Sequence, residues 1–463
     1  MDAWLRSAID YAIDWLAFQV ETSEQPGCII AIAHRGEIVA EAAFGHANLD
    51  TGEKLTPRHR FRIASHSKAF TAAGVMRLRE RGQLKLDDPV GTYVKGLHPQ
   101  VSAVTLTQML SHSAGLVRDG RDAGQFSDMR SYLSADELRA ELALPPSIDP
   151  NSRFKYSNHG YGLLGLVIEA IAGEPYAAFI QREVIEAADL RETVPDMAQL
   201  VKNAPFARGH SPKILLGRRA VIPGNNPTQA MAAATGLVAT AADTARFFAQ
   251  LAPNARKSLL SVASRREMTR RQWRIPQELE ANYGLALMSG TTAGFDWFGH
   301  GGGFQGYISR TSVIPARDLA VTVLTNSIDG WAHLWANGVK FIMQAFLSNG
   351  AASRRTRDWS GRWWTLWGAT DLVPMAKQVL VANPQLLNPF MDSARIEVTG
   401  RDTGRIAEAA GYSSHGEPVR RVRSKPGTVS DIWLGGAHLR PARAVRADME
   451  RKYPKRRARR KDA

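Results

Sequence analysis

Strand-like patterns occupy two separated parts of this chain with a long helical stretch between them, and that arrangement limits the fold more than any other feature. Cys28–Ala33 and Ile38–Phe44 are apolar runs flanking His34-Arg35-Gly36-Glu37, a hairpin signal. Strand patterns return at Tyr283–Met288, Tyr307–Ile314 and Leu319–Leu324. Between them, from about residue 80 to 230, Gly115, Pro145-Pro146, Gly173-Glu174-Pro175 and Pro223-Gly224 punctuate short helices and loops. The pattern implies an α/β (α+β) unit: an antiparallel sheet assembled from both ends, flanked by helices, with an inserted all-helical lobe. A cleft between lobe and sheet is the natural place for a site.

That unit is expected to span residues 1–350. Trp331, Trp335, Val339, Ile342 and Phe346 mark a helical face that Asn349-Gly350 would end. After the linker-like Ser348–Ser353 come Trp359, Trp363, Trp364 and Trp367. Short alternating runs follow (Arg395–Thr399, Val419–Arg423, Asp431–Leu434), with turns at Gly400, Gly404, Gly427 and Gly435-Gly436. They predict a small C-terminal β-barrel or sandwich over 351–445. Residues 446–463 hold nine Lys/Arg against three acids, which accounts for +6 of the formal +15, and are expected to form a disordered basic tail. A solvated tail is the preferred reading, so no specific nucleic acid is expected as a partner.

With 44% hydrophobic and 22% charged residues the composition is that of a soluble globular protein. The single cysteine, Cys28, excludes an intramolecular disulfide framework and sits in an apolar strand pattern, where it reads as a small buried hydrophobe. Asp2, Arg6, Asp10 and Asp14 interrupt the N-terminal amphipathic stripe of Trp4, Ala8, Trp15 and Phe18, so it does not read as an export signal. No run of about 18 apolar residues occurs. A cytoplasmic location without a membrane partner is the expectation, and homo-oligomer formation is left open.

The chemistry concentrates on Ser65-His66-Ser67-Lys68. Ala69, Ala72, Ala73 and Met76 continue from it at helical spacing, and residues three apart share a helix face. Ser65 would thus have Lys68 beside it to take its proton, and free N–H groups of the helix start to favour a developing anion. Ser152-Arg153-Phe154-Lys155 repeats the spacing, but Pro150 and Asn151 place Ser152 in a turn. Tyr156-Ser157-Asn158 precedes an apolar helical run. There Tyr156 can serve as general base or acid if an ammonium lowers its pKa, and Asn158 can hold a substrate carbonyl or the lysine. His300-Gly301-Gly302-Gly303-Phe304-Gln305-Gly306 leads into a strand, and the glycines permit close backbone approach. An N–H at Gly302 or Gly303 could complete an oxyanion hole with that of Ser65. The Gly301-x-Gly303-x-x-Gly306 string fails as a dinucleotide fingerprint, because a strand and not a helix follows it.

Together these segments resemble the serine hydrolases of the class C β-lactamase and penicillin-binding-protein type, including the CubicO-type peptidases and esterases. Phe61–Ser65, Gly82–Val90, Thr105–Leu116 and Ala234–Asp243 resemble further segments of that family, in its order. The resemblance implies that Ser65 is acylated, Lys68 and Tyr156 exchange protons, Asn158 positions substrate and His300 opens the third motif. His300 departs from the Lys-Thr-Gly usual in β-lactamases, and resembles the D-aminopeptidases, amidases, esterases and lipocalin-tailed peptidases. A small-molecule or short-peptide substrate follows, with small carboxylic esters as the alternative. A binding protein on a hydrolase fold is the competing class. His112 reads as a structural hydrogen-bonder, and Ser414-His415-Gly416-Glu417 lacks metal-ligand company. Neither metal nor organic cofactor is expected.

Overall fold

The computed structural model describes residues 1–275, 281–411, 413–425 and 427–454. It divides into two compact units, one of Ser23–Ala336 and one of Met1–Thr22 with Asn337–Ala463. These units do not follow the expected boundary at residue 350. The N-terminal helix α1, Ala3–Thr22, belongs with the C-terminal residues. Its Trp15 Nε1 donates to Leu386 O at 3.2 Å, Gln19 Nε2 donates to Pro384 O at 2.6 Å, and Tyr11 donates to Asp371 at 3.0 Å.

In the unit Ser23–Ala336 the sheet is antiparallel and built from both ends of the segment. β1 (Gly27–His34) and β2 (Glu37–Asn48) form the expected hairpin. After them come the helices α2 (Ser67–Glu80), α3 (Asn158–Ala172) and α4 (Ala241–Gln250). The late strands are β3 (Met288–Thr292), β4 (Phe295–Phe304), β5 (Tyr307–Ile314) and β6 (Leu319–Thr325). The order runs Glu53–Lys54, β2, β1, β6, β5, β4, β3, Asn282–Tyr283, Trp273–Arg274. β1 pairs with β6 from Cys28 opposite Thr325 to His34 opposite Leu319, which closes the distance between the two ends of the segment. β1 and β6 are buried along almost their whole length, which explains their unbroken apolar text.

Tyr283–Met288, expected as one strand, is broken. Asn282–Tyr283 folds back on β3 with Tyr283 opposite Met288. Gly284 N–H donates to Leu287 O, Leu285 N–H to Met268 O and Ala286 N–H to Leu110 O, so one turn bond and two bonds to other segments replace the ladder. Ala286 has φ +61° there.

The second unit continues the helix that spans its boundary, α5 (Ala332–Asn349), which ends with Gly350 at φ +84° donating to Phe346 O. The next eight strands, β7–β14, are Gly361–Thr365, Gly368–Met375, Gln378–Ala382, Ala394–Val398, Thr403–Glu408, Pro418–Lys425, Thr428–Leu434 and Ala437–Leu439. They pair in chain order, and two bonds between Trp364 and Arg440 join first to last, so the sheet is a nearly closed barrel. Trp359, Leu372, Val379, Ile396, Val419 and Ile432 fill its interior. The segment expected as a tail begins instead as a helix, α6 (Ala442–Lys452), started at Pro441 and held by Asp448 pairing with Arg440 at 2.6 Å and Arg451 at 2.7 Å. Residues 455–463 lie outside the described residues.

Helix α2, which follows the turn of Ser65, is held by core packing. Phe70 is fully buried and stacks on Phe247 of α4 with ring centroids 3.6 Å apart. Phe70→Ala should destabilise the protein by about 3–5 kcal/mol through the cavity it leaves. A urea or guanidinium unfolding midpoint unchanged from wild type would contradict this packing.

Candidate active site

Ser65 lies in the 3₁₀ turn Ala64–His66 that runs into α2. Ala64 has φ +51°, a costly conformation for a residue with a Cβ, and it survives because both sides of the turn are tied. Ile63 N–H donates to Leu237 O, and Ser67 Oγ donates to Ala64 O at 2.6 Å while accepting Leu237 N–H at 3.0 Å. Ile63 O in turn accepts from the His66 backbone N–H and from His66 Nδ1. Burial drives the His66 pKa down to about 3, so its ring acts as a neutral strut that reaches Thr311 of β5 at 2.9 Å.

One turn on from Ser65, in the first turn of α2, Lys68 is completely buried. Its Nζ lies 2.7 Å from Asn158 Oδ1, 2.9 Å from Ala234 O and 3.3 Å from Ser65 Oγ. Burial pushes its pKa well below 10.5, against which the Asp119 carboxylate acts. A neutral amine with two N–H groups on Asn158 and Ala234 has its lone pair left for the Ser65 hydroxyl proton.

Tyr156 closes the other side, its hydroxyl donating to Ser65 Oγ at 2.9 Å. Ser157 caps α3 by accepting Gly160 N–H at 2.9 Å, which fixes Tyr156 just outside the helix. The condition set for Tyr156, a pKa lowered by a nearby ammonium, is not met: burial raises it, so the phenol keeps its proton. His112, buried with φ +59°, sits beneath it with ring centroids 4.1 Å apart and accepts Ser157 N–H at 3.1 Å.

Asn158 is turned by a neighbour that sequence reasoning missed. Its Nδ2 donates to Asp119 Oδ1 at 2.5 Å, which aims Oδ1 at Lys68. Of the two uses open to Asn158, the structure shows the one on lysine. Asp119 also pairs with the exposed Arg118 at 3.0 Å, and Arg118 lies 5.8 Å from the Tyr156 ring centroid. The available signal was position: Arg118-Asp119 follow the Thr105–Leu116 segment after one residue, Val117. The role of Ala234 was equally hidden, since a backbone carbonyl leaves no residue-type signature.

The glycine strand β4 lies against the Ser65 turn. A Cβ on Gly302 would overlap Ile63 O and come 2.5 Å from Ser309 Oγ, so only glycine fits that approach. Pairing of β4 with β3 stops at Gly299, and Gly303 is exposed. The β4 edge beyond Gly299 is therefore open on that side. His300 is placed differently from the other expected site residues. It is buried, its Nδ1–H donates to Gly301 O at 2.6 Å, and its Nε2 faces the Tyr283 hydroxyl at 3.0 Å. Burial and His66 hold its pKa well below 6.5, so it is a neutral support inside the sheet. Ser152 is exposed and its hydroxyl turns onto Asp149 O at 2.6 Å, which leaves Lys155 no part in activating it. Among the described residues no three His, Cys, Asp or Glu side chains are grouped to hold a metal ion. A depression of about 1020 Å³ lined by Arg35, Asp189, Asp243, Arg246 and Arg256 shares no residue with this site.

Comparison with known proteins agrees with the fold. The Beta-lactamase family model matches residues 15–332. Penicillin-binding protein 4* of Bacillus subtilis (strain 168) is 32% identical over 170 residues, covering 36% of this chain and 37% of that protein. The chain thus spans roughly a third of the curated relatives it matches. The octameric penicillin-binding protein homologue from Pyrococcus abyssi superimposes with TM-score 0.65 at 22% identity, over 93% of this chain and 99% of that one. A D-stereospecific amidohydrolase from Streptomyces sp. superimposes with TM-score 0.58 at 25% identity, over 68% of this chain and 94% of that one. With more than half its length matched, the chain belongs to the Beta-lactamase family of β-lactamase-fold serine hydrolases.

Proposed function

We propose that this protein hydrolyses amide bonds of short peptides or amino-acid amides through an acyl-enzyme on Ser65. The observation that carries the reading is the position of Ser65 Oγ, 3.3 Å from Lys68 Nζ and 2.9 Å from the Tyr156 hydroxyl. Lys68, as neutral amine, takes the Ser65 proton while Oγ bonds to the substrate carbonyl carbon. The N–H groups of Ser65 and Gly303 are the donors for the resulting oxyanion. Tyr156 then gives its proton to the leaving amine and is reprotonated by the Lys68 ammonium. Water enters by the same proton exchange in reverse and releases the acid.

The substrate class follows from charge and from likeness. His300, neutral and buried, supplies no fixed charge for a substrate carboxylate, which ranks β-lactams below neutral amides. The likeness to a Streptomyces amidohydrolase named for D-stereospecificity supports amides with D-residues as substrates here. Small esters would be cleaved by the same acyl-enzyme. Matched D- and L-amino-acid amides, esters and penicillins, assayed side by side, test the ranking. Penicillin turnover faster than that of the amides would reverse it.

Ser65→Ala should abolish the acyl adduct seen by intact-protein mass spectrometry with an activated ester, and reduce turnover on the order of 10⁴-fold or more. Ser152→Ala should retain both. An adduct persisting in Ser65→Ala would remove Ser65 as nucleophile.

Lys68 also sets a pH dependence. Its neutral form is the base, so kcat/KM should fall as pH drops through the Lys68 pKa, which burial has lowered from 10.5. Asp119 raises that pKa, so Asp119→Asn should move the acid limb to lower pH. A limb that stays in place, or moves to higher pH, would show that Lys68 is not the titrating base.

A further inference from the structure

Between the short strands Gly209–His210 and Val221–Ile222 the chain reads Ser211-Pro212-Lys213-Ile214-Leu215-Leu216-Gly217-Arg218-Arg219-Ala220. Ile214, Leu215 and Leu216 are 88%, 83% and 58% exposed. A single exposed leucine is ordinary, but three consecutive large aliphatic side chains held in water mark a surface that meets something apolar. The tip is held out by a tied base. Ser211 N–H donates to Ala220 O and Ala220 N–H to Ser211 Oγ, both at 2.9 Å. Arg219 bonds Ser211 O at 3.1 Å, Ser327 Oγ at 2.7 Å and Asp329 at 2.6 Å. Gly217, with φ +66°, turns the chain directly after the apolar triplet.

The charges around the tip decide what it meets. Residues 211–220 contain Lys213, Arg218 and Arg219 and no acid. Lys213 pairs with Glu24, while Arg218 is exposed beside the tip. We propose that this hairpin is a docking element for an anionic lipid surface: Ile214, Leu215 and Leu216 enter the acyl boundary, and the exposed Arg218 beside them stays at the phosphates, while Lys213 and Arg219 are held by Glu24 and Asp329. The formal +15 of the chain supplies long-range attraction to the same surface. No single described helix is long and apolar enough to cross a membrane, and that criterion does not bear on a loop that only enters one face. The base of the hairpin abuts the turn that ends the glycine strand, since a Cβ on Gly306 would come 2.6 Å from Gly209 Cα. Docking therefore brings that end of β4 toward the lipid.

The test is flotation of the full chain with vesicles of phosphatidylcholine containing phosphatidylglycerol, against vesicles of phosphatidylcholine alone. Wild type should float with the anionic vesicles, and the triple variant Ile214→Ser, Leu215→Ser, Leu216→Ser should bind them about tenfold less. Its thermal midpoint and its turnover of a soluble ester should be unchanged. The basic C-terminal residues are present in both proteins, so their own attraction cancels in the comparison. A second readout uses Leu215→Cys carrying an environment-sensitive dye, which labels selectively because Cys28 is fully buried. Its emission should shift to the blue on anionic vesicles. Equal flotation of wild type and variant, no flotation of wild type, or an unshifted dye would overturn the proposal. So would self-association without lipid that the triple variant abolishes, since the occupant would then be a second copy of the chain.

Discussion

A lysine amine with no exposure to water, held between two carbonyl oxygens and a serine hydroxyl, is the interaction around which this structure is organised. Removing an ammonium from water costs several kcal/mol unless it is fully hydrogen-bonded or loses its proton. Lys68 meets Asn158 Oδ1 and Ala234 O, and burial depresses its pKa. Three remote parts of the chain must therefore arrive together: α2, the start of α3 and the segment before Val238. The same closure that desolvates the amine lowers its pKa, so a looser, hydrated Lys68 would hold its proton more strongly.

The sequence pattern made the sheet, the helical lobe, the barrel and the company of Ser65 legible for identifiable reasons. Strands buried on both faces leave continuous apolar text, as in β1 and β6, and residues three apart on a helix must be neighbours, as Ser65 and Lys68 are. What stayed hidden was set by tertiary contact. Asp119 is one acid among many until the fold brings its carboxylate to Asn158 Nδ2. His300 stood in the right string, yet its ring turns to Tyr283 and the Gly301 carbonyl. Its position in sequence marked the strand, while the ring's partners are set by the sheet around it. The start of α6 was obscured by the charge run that follows it, and the membership of α1 by the sequence distance to Pro384 and Leu386.

Backbone geometry explains why the glycine strand and the Ser65 turn are inseparable. Ala64 is held at positive φ by bonds on both of its sides, and β4 lies so close that Gly302 has no room for a Cβ. Each constraint excuses the other. The Leu237 segment and the strand brace the turn that carries Ser65, and the strand can lie there because position 302 has no side chain. His66 ties the turn to the neighbouring strand β5 through Ile63 O, Ser309 and Thr311, and its depressed pKa keeps this brace uncharged through mild acid. Because both His66 and His300 remain neutral, the acid–base behaviour of the site is left to Lys68 and Tyr156. Burial pushes those two in opposite directions, lowering the amine and raising the phenol. An amine whose burial favours the neutral form and a phenol whose burial favours the protonated form thus both contact one hydroxyl, the pairing that the proposed acyl transfer would use.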